Sequence, residues 1–234
     1  MRKLKSTDVR QIFHLYQERF AKLFSGVKDF HLEMERQRKG NQGHGIDHDV
    51  LVAGYVILIQ GKKTRVTEMA WVAAMIHSID RLAGVETESI LKRLLGLLPV
   101  GYFTEIEIGT ILQAVREHSG PNREQDSEVK IVLQDADRLA NIGACLIIRS
   151  GQLYPHIPAV EVQYLSGNPE STFRQPRSCR DDIAFSLEWE SGAKFGLRTH
   201  TAKLLGKPYF DFLRLFLATI KRQYEETGLE GLEI

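Results

Sequence analysis

Three short segments of this chain place metal-competent side chains where the neighbouring residues read as buried helix. They are GHGIDHDVLV (43–52), AAMIHSIDR (73–81) and LQDADRLANIG (133–143). An imidazole or carboxylate taken out of water is costly unless a partner compensates it. A divalent metal is an economical partner, and His48, His77 and Asp135 are the candidate ligands. A histidine on an apolar helix is more often a satisfied core residue. It is the coincidence of three such segments that carries the metal reading. One site is expected, for manganese, iron, nickel, zinc or magnesium, and the mixture of imidazole and carboxylate favours a first-row transition metal. Asp137, the second acid of LQDADRL, ranks below Asp135 as a group that orients a ligand or a water. Asp49 reads as a helix N-terminal charge or as support for the ligands.

Helices must position these groups. Apolar residues recur at three- and four-residue spacing over 9–24, and a shorter helix is expected over 27–39. The stretch 40–45 reads as a loop, followed by a helix over 46–61. The next helix is expected from Thr64 or Thr67 to about Leu82. Its middle, 69–76, is apolar nearly all round and should be central. Further helices are expected over 86–98, 104–118 and 127–149. Residues 154–182 hold Pro155, Pro158, Pro169 and Pro176 among polar residues and read as an irregular insertion, the kind of segment that often serves as a lid or binding loop. Two last helices are expected over 183–205 and 208–226, with Pro208 in a first helical turn. No strand pattern competes and no linker divides the chain. The expectation is one all-α domain, 1–234, of roughly eight to ten helices.

The bulk composition excludes several classes. Hydrophobic residues make up 43% and charged residues 26% of 234 residues, enough to build a core. The net charge of +1 gives no sign of a nucleic-acid or membrane partner. The longest apolar run, 50–59, is about half the roughly 20 residues of a membrane span. The basic N-terminus lacks the apolar region of a secretory signal, so a cytoplasmic location is expected. Two cysteines make no disulfide framework; Cys145 reads as core and Cys179 as loop. The loop at 40–45 lacks the Gly-Lys-Ser/Thr ending of a phosphate loop, and no Gly-x-Ser-x-Gly elbow is present. Phe210, Phe212 and Phe216 have helical spacing and read as core. Lys194 and Arg198, four residues apart, read as a solvated helix face.

Ile46-Asp47-His48, then Ile76-His77-Ser78-Ile79-Asp80-Arg81, then Gln134-Asp135-Ala136-Asp137-Arg138-Leu139 resemble, in that order, the motifs of the HD-domain superfamily of metal-dependent phosphohydrolases. The resemblance covers roughly 43–149. The family pattern has a first His, then an adjacent His-Asp pair on a later helix, then a final Asp. It implies a helical HD-like fold, a metal held by His48, His77 and Asp135, and hydrolysis of a small phosphate ester such as a nucleotide. This chain departs from the pattern at Ser78, which stands where the family has its namesake Asp. Three protein ligands with water still make a catalytic site, though a weaker one. Asp80, three residues after His77, is the candidate substitute carboxylate. Arg81 and His118 are the candidate groups for a phosphate, and Arg138 reads as a structural ion-pair partner. The loss at Ser78 keeps a second reading open: a degenerate HD domain that binds a ligand or a partner protein without turnover. A homodimer is the default expectation for assembly.

Overall fold

The computed structural model describes residues 5–37 and 44–228. The expected end of a helix at 39 and most of the loop at 40–45 lie outside the described residues. Among the described residues the architecture is all-α, and the one β feature is an isolated bridge between Thr172 and Gln175. No described helix is long and apolar enough to cross a membrane. The chain divides into two compact units, residues 1–140 with 198–202, and residues 141–197 with 203–234.

The first unit begins with α1 (Ser6–Arg19) and α2 (Ala21–Arg36). The break falls at Phe20, not near residue 25 as the sequence suggests, because Gly26 serves packing inside α2 instead of ending a helix. A Cβ at Gly26 would lie 2.5 Å from a Leu97 methyl and 3.0 Å from a Leu94 methyl, so any larger residue would force those leucine side chains to shift. Next come α3 (Ile46–Gln60) and α4 (Arg65–Ile76). Gly61, at φ 65°, ends α3 in a left-handed cap. Thr64 caps α4 by accepting the Thr67 backbone N–H. Every residue of α4 from Met69 to Ile76 is buried, as its apolar character predicts. Trp71 anchors an aromatic cluster with Phe13, Tyr16 and Phe20.

The helix expected to run on to Leu82 instead stops at His77. A separate turn, α5 (Ile79–Ala83), and a short 3-10 segment lead into α6 (Thr87–Leu95). Then follow α7 (Glu105–Glu117), capped by Thr104, and α8 (Glu128–Ala140). The single helix expected over 127–149 is broken after Ala140. Gly143 adopts φ +72°, a conformation that an L side chain rarely takes, and the chain restarts as α9 (Ala144–Leu153).

The second unit contains α9, the irregular stretch, α10 (Cys179–Phe185) and most of α11 (His200–Glu225). The single helix expected over 183–205 is interrupted, since α10 ends at Phe185 and α11 begins at His200. Residues 186–189 form a 3-10 turn, and 190–199 carry no regular structure. Here Phe173 stacks on Phe195 and meets Trp189 edge-on. Pro208 lies inside α11, not in a first turn, so α11 forgoes the backbone bond that a residue at 208 would donate. Cys145, expected in the core, is exposed, because α9 buries Leu146 and Ser150 and turns residue 145 outward. Of the three phenylalanines expected as core, Phe210 is buried, Phe212 is exposed and Phe216 is intermediate.

Candidate metal centre

Four helices of the first unit deliver the site. His48 enters in the first turn of α3, and Asp137 comes from the last turns of α8. His77 and His118 are the C-cap residues of α4 and α7. The two caps are built alike. Each imidazole Nδ1 donates to a carbonyl three residues back, His77 to Ala74 at 2.6 Å and His118 to Val115 at 2.6 Å. A helix end leaves carbonyls unpaired, and a cap histidine uses one of them to fix its own ring. With the proton on Nδ1, the neutral ring turns its Nε2 lone pair inward.

His48 Nε2 and His77 Nε2 lie 3.2 Å apart, and Asp137 Oδ1 lies 3.1 Å from the first and 3.5 Å from the second. These three atoms form the group of donors that can hold a metal ion among the described residues. Two donors each about 2.1 Å from one ion, at octahedral or tetrahedral angles, lie roughly 3.0–3.4 Å apart, so the observed spacings suit a shared ion. Two imidazole nitrogens and a carboxylate oxygen converge here, and either a proton or a metal cation can sit among them. The residues fit the group.

The electrostatics agree. Burial alone would depress the His77 imidazole. The hydrogen bond to Asp137 and the charges of Asp49 and Asp137 override it and raise the ring to about 9. Burial pushes the Asp137 carboxyl up, yet His48 and His77 hold it well below the usual carboxylate range. His118 goes the other way: burial lowers it, against the pull of Asp137 and with the push of His77. Its ring centroid lies 5.2 Å from that of His77. His118 is thus a buried, neutral-leaning imidazole at the edge of the three donors.

The expected third ligand needs correcting. Asp135 does not face His48 and His77. Its carboxylate accepts backbone N–H groups from Arg198 at 2.9 Å and Thr199 at 2.7 Å, at the start of α11. Residues two apart on a helix project in nearly opposite directions, so only one acid of LQDADRL can join the histidines, and that one is Asp137. Asp80 is not in the donor group either. The helix ends at His77, so the same-face argument fails. Asp80 acts at a distance on His118, and its Oδ1 lies 4.0 Å from Arg81 Nε. The Arg81 side chain is half exposed. Arg138 is buried, bonded to Asn122 Oδ1 at 2.8 Å, and lowered to about 10 by burial. Arg198 is no solvated face: it pairs with Asp126 at 2.9 Å.

Two supporting residues, His31 and Gln134, escaped sequence reasoning. His31 Nε2 meets Asp49 Oδ2 at 2.8 Å, both residues buried. His31 falls in the buried stripe Val27, Phe30, His31, Met34 of α2, and a polar residue in an apolar stripe was the available signal. Gln134, fully buried, donates to the carbonyls of His118 at 3.0 Å and Gly120 at 2.9 Å, and so holds the end of α7 in place.

No protein-family model and no curated relative matches the sequence. Solved structures do. A Lactobacillus plantarum protein aligns with TM-score 0.64 and 20% identity, over 87% of this chain and 97% of that one. Bacillus subtilis YpgQ, solved in complex with ADP, aligns with TM-score 0.60 and 16% identity, over 87% and 96%. An HD-superfamily hydrolase from Bacillus thuringiensis aligns with TM-score 0.62 and 20% identity, over 90% and 98%. The fold is HD-domain-like.

Proposed function

We propose that this protein is a metal-dependent phosphohydrolase acting on a small phosphate ester, with nucleotides as the substrate class. The observation that carries the reading is the convergence of His48 Nε2, His77 Nε2 and Asp137 Oδ1 within 3.1–3.5 Å. The HD-superfamily hydrolase among the structural neighbours supports the reaction class, and the ADP bound to YpgQ supports the nucleotide.

The chain's own groups have distinct tasks. His48, His77 and Asp137 would hold the ion, which when bound polarises a phosphoryl oxygen and acidifies a water. The Nδ1 bond to Ala74 keeps the His77 ring in the ligating tautomer. His118, anchored on Val115, keeps Nε2 as the acceptor that takes or returns a proton at the edge of the site. Asp80 biases that imidazole toward its charged form. Arg81, half exposed beside Asp80, supplies a guanidinium for the phosphate.

The test is elemental analysis of protein purified without chelators or affinity-metal columns, beside His48→Ala, followed by a screen of nucleotides and phosphate esters. About one transition metal per chain, lost in the variant, with phosphate release from a nucleotide, is the expected result. No metal in either protein after incubation with manganese or nickel would overturn the reading.

A further inference from the structure

One more buried oxygen lies close to His77. Ser78 is fully buried, and its Oγ lies 3.5 Å from His77 Nε2. That spacing equals the His77–Asp137 separation within the donor group. The Ser78 proton is already committed, since Oγ–H donates to Asp49 Oδ1 at 2.5 Å. A hydroxyl that donates to a buried carboxylate keeps its lone pairs and carries a more negative oxygen than a free one. Asp49 is fully buried too, and His31 Nε2 fixes its other oxygen at 2.8 Å. A relay of three buried side chains from α2, α3 and the break after α4 thus ends on a neutral oxygen backed by a negative charge.

We propose that Ser78 Oγ is a fourth donor to the ion held by His48, His77 and Asp137, and that Asp49 is the positioning residue that aims and polarises it. The site's second buried carboxylate therefore acts at one remove, through the hydroxyl of Ser78. This deepens the metal reading above and rests on it. It carries a consequence against intuition. Placing a carboxylate at 78 does not strengthen this site, because it would face Asp49 in a dry interior where like charges repel.

The experiment is a cobalt(II) titration at fixed pH, read by calorimetry and by the visible d–d band, which reports the ligand set. Wild type is expected to take up one cobalt. Ser78→Ala should bind about 10- to 100-fold more weakly with a changed band, and Asp49→Asn should weaken binding in the same sense. Ser78→Asp should bind no more tightly than wild type. The double variant Asp49→Asn/Ser78→Asp should recover wild-type affinity, since it moves the carboxylate from 49 to 78. Packing damage would add in the double variant instead of cancelling, so a double variant weaker than both singles overturns the proposal. Ser78→Ala and Asp49→Asn with wild-type affinity and band overturn it while leaving the metal reading standing. Wild type that binds no cobalt overturns both.

Discussion

The two ends of α8 carry largely buried polar clusters of different make-up. At the N-terminal end, Lys130 Nζ meets Asp126 at 2.7 Å and Glu117 at 2.8 Å, and Arg198 meets Asp126 at 2.9 Å. Every ion there faces an ion of the other sign from the same chain. At the C-terminal end, His48, His77 and Asp137 present two imidazole nitrogens and a carboxylate oxygen to one another. In that set two imidazoles share one carboxylate, and a proton or a metal can sit among them. The first cluster is complete within the protein and staples α7, α8 and the segment at 198 together. The second is the proposed metal centre. On the function proposed above, the first cluster serves structure and the second serves chemistry, and mutation at either end tests it.

The largest effect is expected from Asp137→Asn and His48→Ala. Each removes a donor from the three, and bound metal should fall from about one per chain to none by elemental analysis, with phosphate release lost alongside. Their melting temperatures should move far less than their metal content. Retained metal in both variants would erase the contrast between the two clusters.

Proton linkage sharpens the same point. In metal-free protein the His77 ring titrates at about 9, above its ordinary 6.5. A raised histidine stabilises the folded state fully below 6.5, and that stabilisation is lost as pH climbs through 9. Thermal melts of metal-free protein should therefore fall between those pH values. Metal-loaded protein should not show that fall, because the ion replaces the proton. Equal pH profiles for the two forms would contradict the assignment.

At the other end, Lys130→Ala leaves Asp126 and Glu117 short of a buried partner. A loss of roughly 3 kcal/mol in denaturant unfolding is expected, as for a broken buried pair, with cobalt affinity of the folded protein unchanged. Asp135→Asn comes next. It weakens the acceptor for two backbone N–H groups and should cost about 1–2 kcal/mol while metal content stays at the wild-type level. The pair Asp135→Asn and Asp137→Asn then splits stability from metal binding across two residues of one helix. The smallest effect belongs to Arg81→Ala. Its side chain is half exposed and its contact with Asp80 is 4.0 Å, so stability should change by less than about 0.5 kcal/mol. An effect of Arg81→Ala on KM for a phosphate ester would mark its role as substrate contact.

Much of the scaffold was legible in the chain itself. The helices Ile46–Gln60 and Glu105–Glu117, and the start of Arg65–Ile76, follow from apolar periodicity, with Gly61, Thr64 and Thr104 marking ends by local chemistry. So did the placing of His48 and His77 near helix ends. The breaks at Phe20 and Gly143 did not show: the sequence suggested a break beside Gly26 and none at Gly143. One answers a close helix contact and the other a positive φ. Pro208 misled for a similar reason: a proline reads as a helix start, while α11 tolerates it within.

Sequence by itself determined the all-α class, the order of the segments and the residue types that bring imidazole and carboxylate inside. Only tertiary structure decided which acid of LQDADRL meets the histidines, because residues 135 and 137 lie on opposite faces of α8 and nothing local says which face turns inward. Tertiary structure alone also joined His31 of α2 to Asp49 of α3 and Asp49 to Ser78, since such pairings across 18 and 29 positions depend on how helices pack and leave no periodic trace in the chain.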